Sequence, residues 1–267
     1  KNERQRLKIK VVKKDRDSGK CLQGAICGLY AGEDIYTGIV YSEEKNAWIL
    51  REEPVLLFPE GTLIAACITD LDGNGVFDED LPLGRYEVRE LEAPVGYLQS
   101  EEVLPVDGSY ESEKGGQKTD IQEHVVVLEN QITRVRFRKL DLTDGQELAG
   151  ALLEVWELPF AEKDFFAASE GEREQKPDLE PGTEVIKDSW ISTGPARMIH
   201  MTEGLQLGRV YAFREAEPAP GYVTAEDVHF RLEQARDTEG KLLDAIEIYL
   251  VDSQEEEQQN DTDISIT

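Results

Sequence analysis

Leu7-Lys8-Ile9-Lys10-Val11-Val12-Lys13 alternates apolar and polar side chains, which is the pattern of a β-strand with one buried face. Successive side chains of a strand point to opposite faces, so Leu7, Ile9 and Val11 share the face that we expect to be buried. Lys13 continues that face, which predicts a lysine inside the core. Because an uncompensated buried amine costs several kcal/mol, we expect Lys13 to have a chemical partner.

The same alternation places two matched sets of three polar residues on inward faces. Each set contains a lysine from an early strand, a glutamate from a middle strand, and an amide or carboxyl residue from a late strand. The first set is Lys13, Glu90 and Asn130, and the second is Lys139, Glu215 and Asp252. Their common order along the chain predicts that each set forms one buried cluster.

An internal repeat accounts for the two sets. Lys13-Lys14-Asp15 corresponds to Lys139-Leu140-Asp141, and each is followed by a turn and a Leu-x-Gly-Ala segment. Residues 90–97, Glu-Leu-Glu-Ala-Pro-Val-Gly-Tyr, correspond to residues 215–222, Glu-Ala-Glu-Pro-Ala-Pro-Gly-Tyr. Because the motifs follow one another in the same order in both halves, we predict two homologous domains, 1–131 and 132–253.

Two segments depart from the repeat. Residues 160–183 are rich in Glu, Lys, Pro and Gly, which predicts an insertion in the second domain with a short helix near 164–168. Residues 254–267 begin as an acidic polar stretch typical of a linker. The final Ile264-Ser265-Ile266-Thr267 resembles the approach to the two lysines, so we expect a further repeat to start there.

The composition excludes several functions. The chain has 267 residues and a formal net charge of −27, which argues against binding to nucleic acid or to an anionic membrane. The longest apolar run, 63–68, has the length of a strand, so we expect no membrane insertion. The sequence contains no motif of a phosphate-binding loop, a zinc protease or a serine hydrolase. We therefore expect neither a cofactor nor an enzyme that acts on external substrates.

Short alternating runs separated by Gly, Asn and Asp turns predict nearly pure β structure. Several short antiparallel strands, which we expect in each domain, are typical of a Greek-key β-sandwich. We therefore predict an all-β fold of two tandem Greek-key sandwiches, similar to immunoglobulin domains. The junction from Asn130 to Thr133 has almost no linker, which predicts an end-to-end rod.

A covalent bond is one way to compensate the burial of these polar groups. Burial favours the neutral, nucleophilic form of an amine and the protonated form of a carboxyl group. A protonated glutamate beside the acceptor can polarise the acceptor's carbonyl group and deliver a proton to the leaving group. Attack by the amine then expels ammonia from Asn130 or water from Asp252 and leaves an amide cross-link. The alternative is a buried salt bridge without covalent chemistry.

These motifs resemble the Cna protein B-type domains, also called SpaA-like or prealbumin-like domains, of Gram-positive surface adhesins and pilins. The Lys-x-Asp opening, the Leu-x-Gly-Ala segment and the Glu-x-x-Ala-Pro-x-Gly-Tyr segment carry the resemblance in combination, and it covers nearly the whole chain. The second domain ends its last strand in Asp252 instead of an asparagine, and the family uses both. The resemblance implies spontaneous Lys–Asn and Lys–Asp isopeptide bonds whose formation is assisted by Glu90 and Glu215.

The resemblance also implies a role outside the cell. We expect a structural stalk module of a cell-wall-anchored adhesin or pilin, whose own chemistry is a single-turnover self-cross-linking. The implied partners are other domains of the same surface protein and, for the full-length protein, a sortase. The alternative is a ligand-binding module that recognises a host extracellular-matrix protein or a glycan through a sandwich face or the 160–183 insertion.

Two weaker signals have alternative interpretations. The loop 70–80 places oxygen-bearing side chains at alternating positions, as a calcium site does, but Leu81 stands where a bidentate carboxylate is expected. The candidate ligands are Asp70, Asp72, Asn74, Asp78 and Asp80, and the alternative is a polar hairpin turn. Cys27 and Cys67 either pack as small apolar residues or form a disulfide.

Overall fold

The computed structural model describes residues 6–44, 46–109, 121–158, 184–195 and 199–253. The chain divides into two compact units, Lys1–Ile132 and Thr133–Thr267, and the predicted domain boundary lies one residue before this division. Every regular element within the described ranges is a β-strand. No helix in these ranges is long and apolar enough to cross a membrane. The predicted insertion with its short helix and the predicted linker at 254–267 lie outside the described residues.

The first unit forms two main sheets and a separate hairpin. Its strands are β1 (Arg6–Asp15), β2 (Ile26–Ala31), β3 (Ile35–Ser42), β4 (Ala47–Phe58), β5 (Leu63–Ile68), β6 (Asn74–Leu81), β7 (Arg85–Glu92), β8 (Val103–Asp107) and β9 (Ile121–Asn130). One sheet has the order β6-β1-β9 and the other has the order β5-β2-β7-β8. Strands β3 and β4 pair only with each other among the described strands.

The second unit repeats the two main sheets. Its strands are β10 (Arg134–Asp141), β11 (Ala149–Glu157), β12 (Val185–Thr193), β13 (His200–Glu203), β14 (Val210–Glu217), β15 (Val228–Arg231) and β16 (Ile246–Asp252). The sheet orders are β13-β10-β16 and β12-β11-β14-β15. Each of these strands corresponds in position to a strand of the first unit.

The two main sheets of each unit enclose one apolar core. In the first unit, Ile9 of β1 belongs to the same buried cluster as Leu29 of β2 and Val88 of β7, so side chains of both sheets meet. In the second unit, Phe137 of β10 and Phe213 of β14 pack with their ring centroids 4.7 Å apart. The alternation seen in the sequence thus corresponds to one face in the core and one face in solvent. The predicted all-β class with two β-sandwiches is confirmed.

The first and last strands of each unit pair in parallel. Asp15 of β1 lies opposite Asn130 of β9, and Asp141 of β10 lies opposite Asp252 of β16. Each lysine lies two residues before the aspartate on the same strand. We expected antiparallel strands, and the difference arises because alternation reports which face is buried and carries no information about strand direction.

Candidate functional site

The structure brings the three polar side chains of the first unit together in the core. Lys13 on β1, Glu90 on β7 and Asn130 on β9 are all buried, and Lys13 is 0% exposed. The Lys13 Nζ atom lies 2.9 Å from Glu90 Oε1, and the Asn130 amide donates a hydrogen bond of 2.8 Å to Glu90 Oε2. One carboxyl group therefore contacts both the amine and the amide.

The backbone at Leu98 determines the orientation of the Asn130 side chain. Asn130 Nδ2 donates a second hydrogen bond, of 2.6 Å, to the carbonyl oxygen of Leu98. Because a carbonyl oxygen only accepts hydrogen bonds, the nitrogen of the amide must point this way. Asn130 Oδ1 is buried and has no hydrogen-bond partner among the described residues. Glu90 therefore contacts the nitrogen that would leave as ammonia, and not the carbonyl oxygen that we expected it to polarise.

The second unit holds the corresponding cluster. Lys139 on β10, Glu215 on β14 and Asp252 on β16 are all buried. Lys139 Nζ lies 2.9 Å from Glu215 Oε1 and contacts Asp252 Oδ1 directly. The charge of Glu215 acts on Asp252, so the two carboxyl groups lie close together. Two carboxyl groups this close repel each other when both are ionised, which favours a proton on one of them.

The environment of Asp252 favours its protonated form. Burial raises the pKa of Asp252 above that of an ordinary aspartate, the ammonium group of Lys139 opposes this, and the charge of Glu215 raises the pKa further. A protonated carboxylic acid can lose water when an amine attacks, whereas a carboxylate has no comparable leaving group. The raised pKa of Asp252 therefore favours the form of this acceptor that can lose water.

Each glutamate is held by a backbone N–H from the segment that follows its strand. Ser100 N donates to Glu90 Oε2 at 2.6 Å, and Ala225 N donates to Glu215 Oε2 at 2.8 Å. In both units the other carboxyl oxygen faces the lysine. The sequence does not reveal these donors, because every residue except proline carries a backbone N–H.

Two further residues of each site were missed in the sequence. Asp15 and Asp141 follow the two lysines by two positions, on the same face, and both are buried. They are hydrogen-bonded to Tyr97 and Tyr222, respectively. The available signal was the alternation itself, since a residue two positions after an inward lysine also points inward.

The cysteines of the first unit are free thiols. Cys27 on β2 lies opposite Cys67 on β5 in the antiparallel pair, and both are buried, whereas Cys21 is exposed. A hydrogen bond with Cys67 and burial in the core both raise the pKa of Cys27. The structure therefore supports the interpretation that Cys27 and Cys67 pack as small buried residues and do not form a disulfide.

The loop that resembles a calcium site forms a turn beside Lys13. Asp70 Oδ1 accepts hydrogen bonds from the backbone N–H groups of Asp72 and Asn74, at 2.9 and 2.8 Å. The carbonyl of Gly73 accepts the Lys13 N–H at 2.8 Å. Gly73 has a φ of +73°, and a Cβ atom there would lie 2.6 Å from the Lys13 carbonyl oxygen. Glycine is therefore required for the close approach of this turn to β1.

A calcium site at this loop stays the weaker of the two interpretations. The side chains of two candidate ligands, Asp78 and Asp80, lie outside the described residues. Among the side chains that are described, no group of three or more His, Cys, Asp or Glu residues is placed to hold a metal ion.

A surface cleft of the second unit lies beside Trp190. The cleft has a volume of about 790 Å³ and is also lined by Arg138 and His200. The Trp190 ring stacks on His200 with their centroids 3.8 Å apart and packs against Phe137 at 5.6 Å. The indole is therefore part of the packing of the sandwich, and ligand binding at this face stays a prediction.

The solved structures similar to the chain include two pilins and one further protein. The Bacillus anthracis TIE protein is 18% identical with a TM-score of 0.41, and the match covers 92% of this chain and 34% of that protein. A streptococcal ancillary pilin is 20% identical with a TM-score of 0.33, with 96% and 64% covered. The shaft pilin SpaA from Lactobacillus rhamnosus GG is 12% identical with a TM-score of 0.31, with 94% and 98% covered. The chain thus spans about a third of the first of these proteins and less than two thirds of the second.

The family comparison is limited to the first unit. No curated protein matches the chain significantly. Residues 7–120 match the family model of the SpaA prealbumin-like fold domain, and this range contains Lys13 and Glu90 and ends before Asn130. Over residues 7–120, the first unit is therefore similar to SpaA prealbumin-like domains.

Proposed function

We propose that the chain is a stalk module of an extracellular, cell-wall-anchored adhesin or pilin, in which each unit closes one intramolecular amide bond. Lys13 bonds to Asn130 in the first unit, and Lys139 bonds to Asp252 in the second. The observation that supports this proposal is the position of the buried glutamate in each unit. Its single carboxyl group contacts the lysine amine and also lies next to the acceptor.

In the first unit, Glu90 transfers the proton. The neutral Lys13 amine attacks Cγ of Asn130, and the new C–N bond forms as the bond from Cγ to Nδ2 breaks. The amine releases a proton to the Glu90 carboxylate, whose Oε1 lies 2.9 Å away. The glutamic acid formed in this way then gives the proton to Nδ2, which lies 2.8 Å from Oε2. Ammonia leaves, and the glutamate returns to its starting protonation state. A carboxyl group suits this task because its two oxygens serve donor and acceptor at once.

In the second unit, the leaving group is water. The Lys139 amine attacks Cγ of protonated Asp252, and one carboxyl oxygen departs with two protons. Glu215 is in contact with both partners and carries the proton from nitrogen to oxygen. Burial is the largest cause of the raised pKa of Asp252, and this shift favours the acid form that the step requires.

The fold supplies proximity and excludes water. The lysine and its acceptor are held by neighbouring strands, so the reaction becomes effectively unimolecular. The side chains of both lysines and both glutamates are at most 1% exposed, so little water reaches the new bond to hydrolyse it.

The bond has a mechanical consequence that fits a stalk. Each bond joins the first strand of a unit to its last strand, which are the strands where the chain enters and leaves the unit. Tension therefore passes from Lys13 to Asn130 through a covalent link, and the sheets between them are not stretched. A disulfide would act in a similar way, but an amide is insensitive to reducing agents.

Intact mass under denaturing conditions tests the bonds. If both bonds form, the protein is lighter than the mass calculated from its sequence by one ammonia and one water. A protein with salt bridges in place of these bonds has the full calculated mass. Relative to the mass calculated from its own sequence, Lys13→Ala should lack only one water, and Lys139→Ala only one ammonia. The cross-linked peptides are identified after proteolysis. A full mass for the wild-type chain would overturn the proposal.

Single-molecule pulling tests the mechanical role. The wild-type chain should show no unfolding step from either unit, because the bonded strands cannot separate. Lys13→Ala and Lys139→Ala should each introduce one lengthening step. A wild-type chain that carries both bonds and still lengthens in steps would contradict the stalk role while leaving the chemistry intact.

A further inference from the structure

Each unit contains an aspartate–tyrosine contact beside its reactive cluster. The Tyr222 hydroxyl donates a hydrogen bond of 2.6 Å to Asp141 Oδ2, and Tyr97 is hydrogen-bonded to Asp15 in the same way. Both aspartates are buried, at 6% exposure for Asp15 and 5% for Asp141. Aspartates are rarely buried to this extent unless they are paired. The contacts with the two tyrosines provide this pairing.

The aspartates are fixed from their other side as well. Asp15 Oδ1 accepts hydrogen bonds from both the backbone N–H and the hydroxyl of Ser18, each at 2.6 Å. Asp141 Oδ1 accepts the backbone N–H of Thr143 at 2.6 Å. Each carboxylate is therefore held between the turn after the lysine strand and the tyrosine, with little freedom to move.

The aspartates lie where the lysine strand meets the acceptor strand. Asp15 is directly opposite Asn130, and Asp141 is directly opposite Asp252. Since each lysine lies two residues earlier on the same strand, a shift at the aspartate also displaces the amine relative to its acceptor.

The tyrosines directly precede residues that contact the acceptor strand. Leu98, next to Tyr97, accepts the Asn130 amide at 2.6 Å and donates its N–H to Gln131 O at 2.8 Å. Val223, next to Tyr222, donates its N–H to Ser253 O at 3.2 Å. The segment that begins at each tyrosine thus supports the acceptor.

We propose that these Asp–Tyr pairs are positioning residues for amide-bond formation. Asp15 with Tyr97, and Asp141 with Tyr222, fasten the lysine strand to the segment that supports the acceptor, so that amine and acceptor meet in reactive register. The proposal rests on the proposed function and adds two residues to each site. It also gives a physical reason for the joint presence of the Lys-x-Asp and Gly-Tyr motifs in both units.

The test measures the rate of bond formation in each unit separately. The full chain is synthesised in a cell-free reaction, stopped by acid at successive times, digested and analysed by mass for the two cross-linked peptides. Tyr97→Phe should slow closure of the first unit by about tenfold to a hundredfold, as expected for a small misplacement of reacting groups. The second unit of the same molecule should close at the wild-type rate and serves as the internal control.

Matched variants separate positioning from a general loss of stability. Tyr36→Phe removes the hydroxyl of a tyrosine that is 53% exposed, and it should leave both rates unchanged. Rates are compared at a temperature where circular dichroism shows each variant fully folded, so a loss of stability alone does not alter them. Tyr222→Phe repeats the test in the second unit if Tyr97→Phe prevents folding of the first.

Rescue by a conservative change provides a second measurement. Asp141→Asn keeps a polar side chain that can hydrogen-bond the Tyr222 hydroxyl, which accepts as well as donates, whereas Asp141→Ala keeps none. The asparagine variant should close faster than the alanine variant. Wild-type closure rates in folded Tyr97→Phe and Tyr222→Phe proteins would overturn the positioning role alone. A wild-type chain that never forms the bonds would overturn the proposed function and this inference with it.

Discussion

Lys13 and Asn130 lie two positions out of register on neighbouring parallel strands, and the Glu90 carboxyl group contacts both side chains. This relationship links the first strand of the unit to the last, with nearly all of the unit's residues between them in sequence. A bond at this place constrains more of the unfolded chain than a bond between sequence neighbours, because the loss of chain entropy grows with loop length.

Removal of the bond should therefore lower stability strongly. Lys13→Ala should reduce the free energy of unfolding of the first unit by about 4–5 kcal/mol, the entropy expected for a loop of this size. Thermal and denaturant unfolding measure the change. Lys10→Ala is the matched control, because Lys10 lies on the same strand in a partly exposed ion pair with Glu123 and should change stability little. Equal melting of Lys13→Ala and wild type would contradict this expectation.

Replacement of the glutamate should block the chemistry in one unit only. Glu90→Gln keeps the size of the side chain but cannot accept a proton from the amine and return one to the leaving group. Relative to the mass calculated from its own sequence, Glu90→Gln should lack only one water, and Glu215→Gln only one ammonia. A cross-linked first unit in Glu90→Gln would show that the carboxyl group is not the proton carrier.

Exchange of the acceptors should change the leaving group. Asp252→Asn should still form a bond, now with loss of ammonia in place of water. Asn130→Asp should react more slowly as pH rises, because the acid form that can lose water is replaced by a carboxylate. Mass measured over time at several pH values gives the rates. An Asn130→Asp rate that is independent of pH would contradict the requirement for the acid form of the acceptor.

Acid should destabilise the first unit through Asp15. Burial acts to raise the pKa of Asp15, but hydrogen bonds from Ser18, Tyr97 and the backbone outweigh it and hold the pKa below the ordinary value of 3.8. A group with a lowered folded pKa stabilises the fold above its unfolded pKa, and this stability is lost as pH falls through the folded pKa. In the Lys13→Ala background, thermal stability should therefore decrease as the pH drops below about 3.8. Adding Asp15→Asn should make this fall shallower, and an unchanged acid profile would contradict the assignment.

Thiol reactivity should separate the cysteines. Cys21 is exposed and should react with an alkylating reagent in the native protein, while Cys27 and Cys67 should react only after denaturation. The raised pKa of Cys27, caused first by the hydrogen bond with Cys67, removes the thiolate that alkylation requires. Mass analysis of the adducts counts the labelled thiols. Rapid native labelling of Cys27 would show that the first sandwich opens.

The strands and the inward polar residues were accessible from the sequence because both follow from alternation. Lys13, Glu90 and Asn130 each continue a run of buried apolar side chains, and a local period of two is enough to identify them. The repeat then gave a second, independent instance of the same three-residue set. The fold class followed from the same short alternating runs and the turns between them.

The parts that were not predicted depend on contacts distant in sequence or on the backbone. The parallel pairing of β1 with β9 leaves no local signature, since strand direction is not encoded in which side chains are apolar. Leu98 acts through its backbone carbonyl and Ser100 through its backbone N–H. Nearly every residue carries these groups, so neither residue stands out in the sequence. Asp15 and Tyr97 were both noted in motifs, but their contact joins positions that only the folded chain brings together.

The placement of the lysines and their acceptors near the ends of each unit has a consequence for proteolysis. With both bonds closed, residues 13–130 and residues 139–252 form two covalent rings. A single cleavage inside a ring opens it but leaves the chain in one piece, and a second cleavage in the same ring is needed to release a fragment. Between the rings, only the short stretch 131–138 can be severed by one cut, and most of it lies within β10 or next to it.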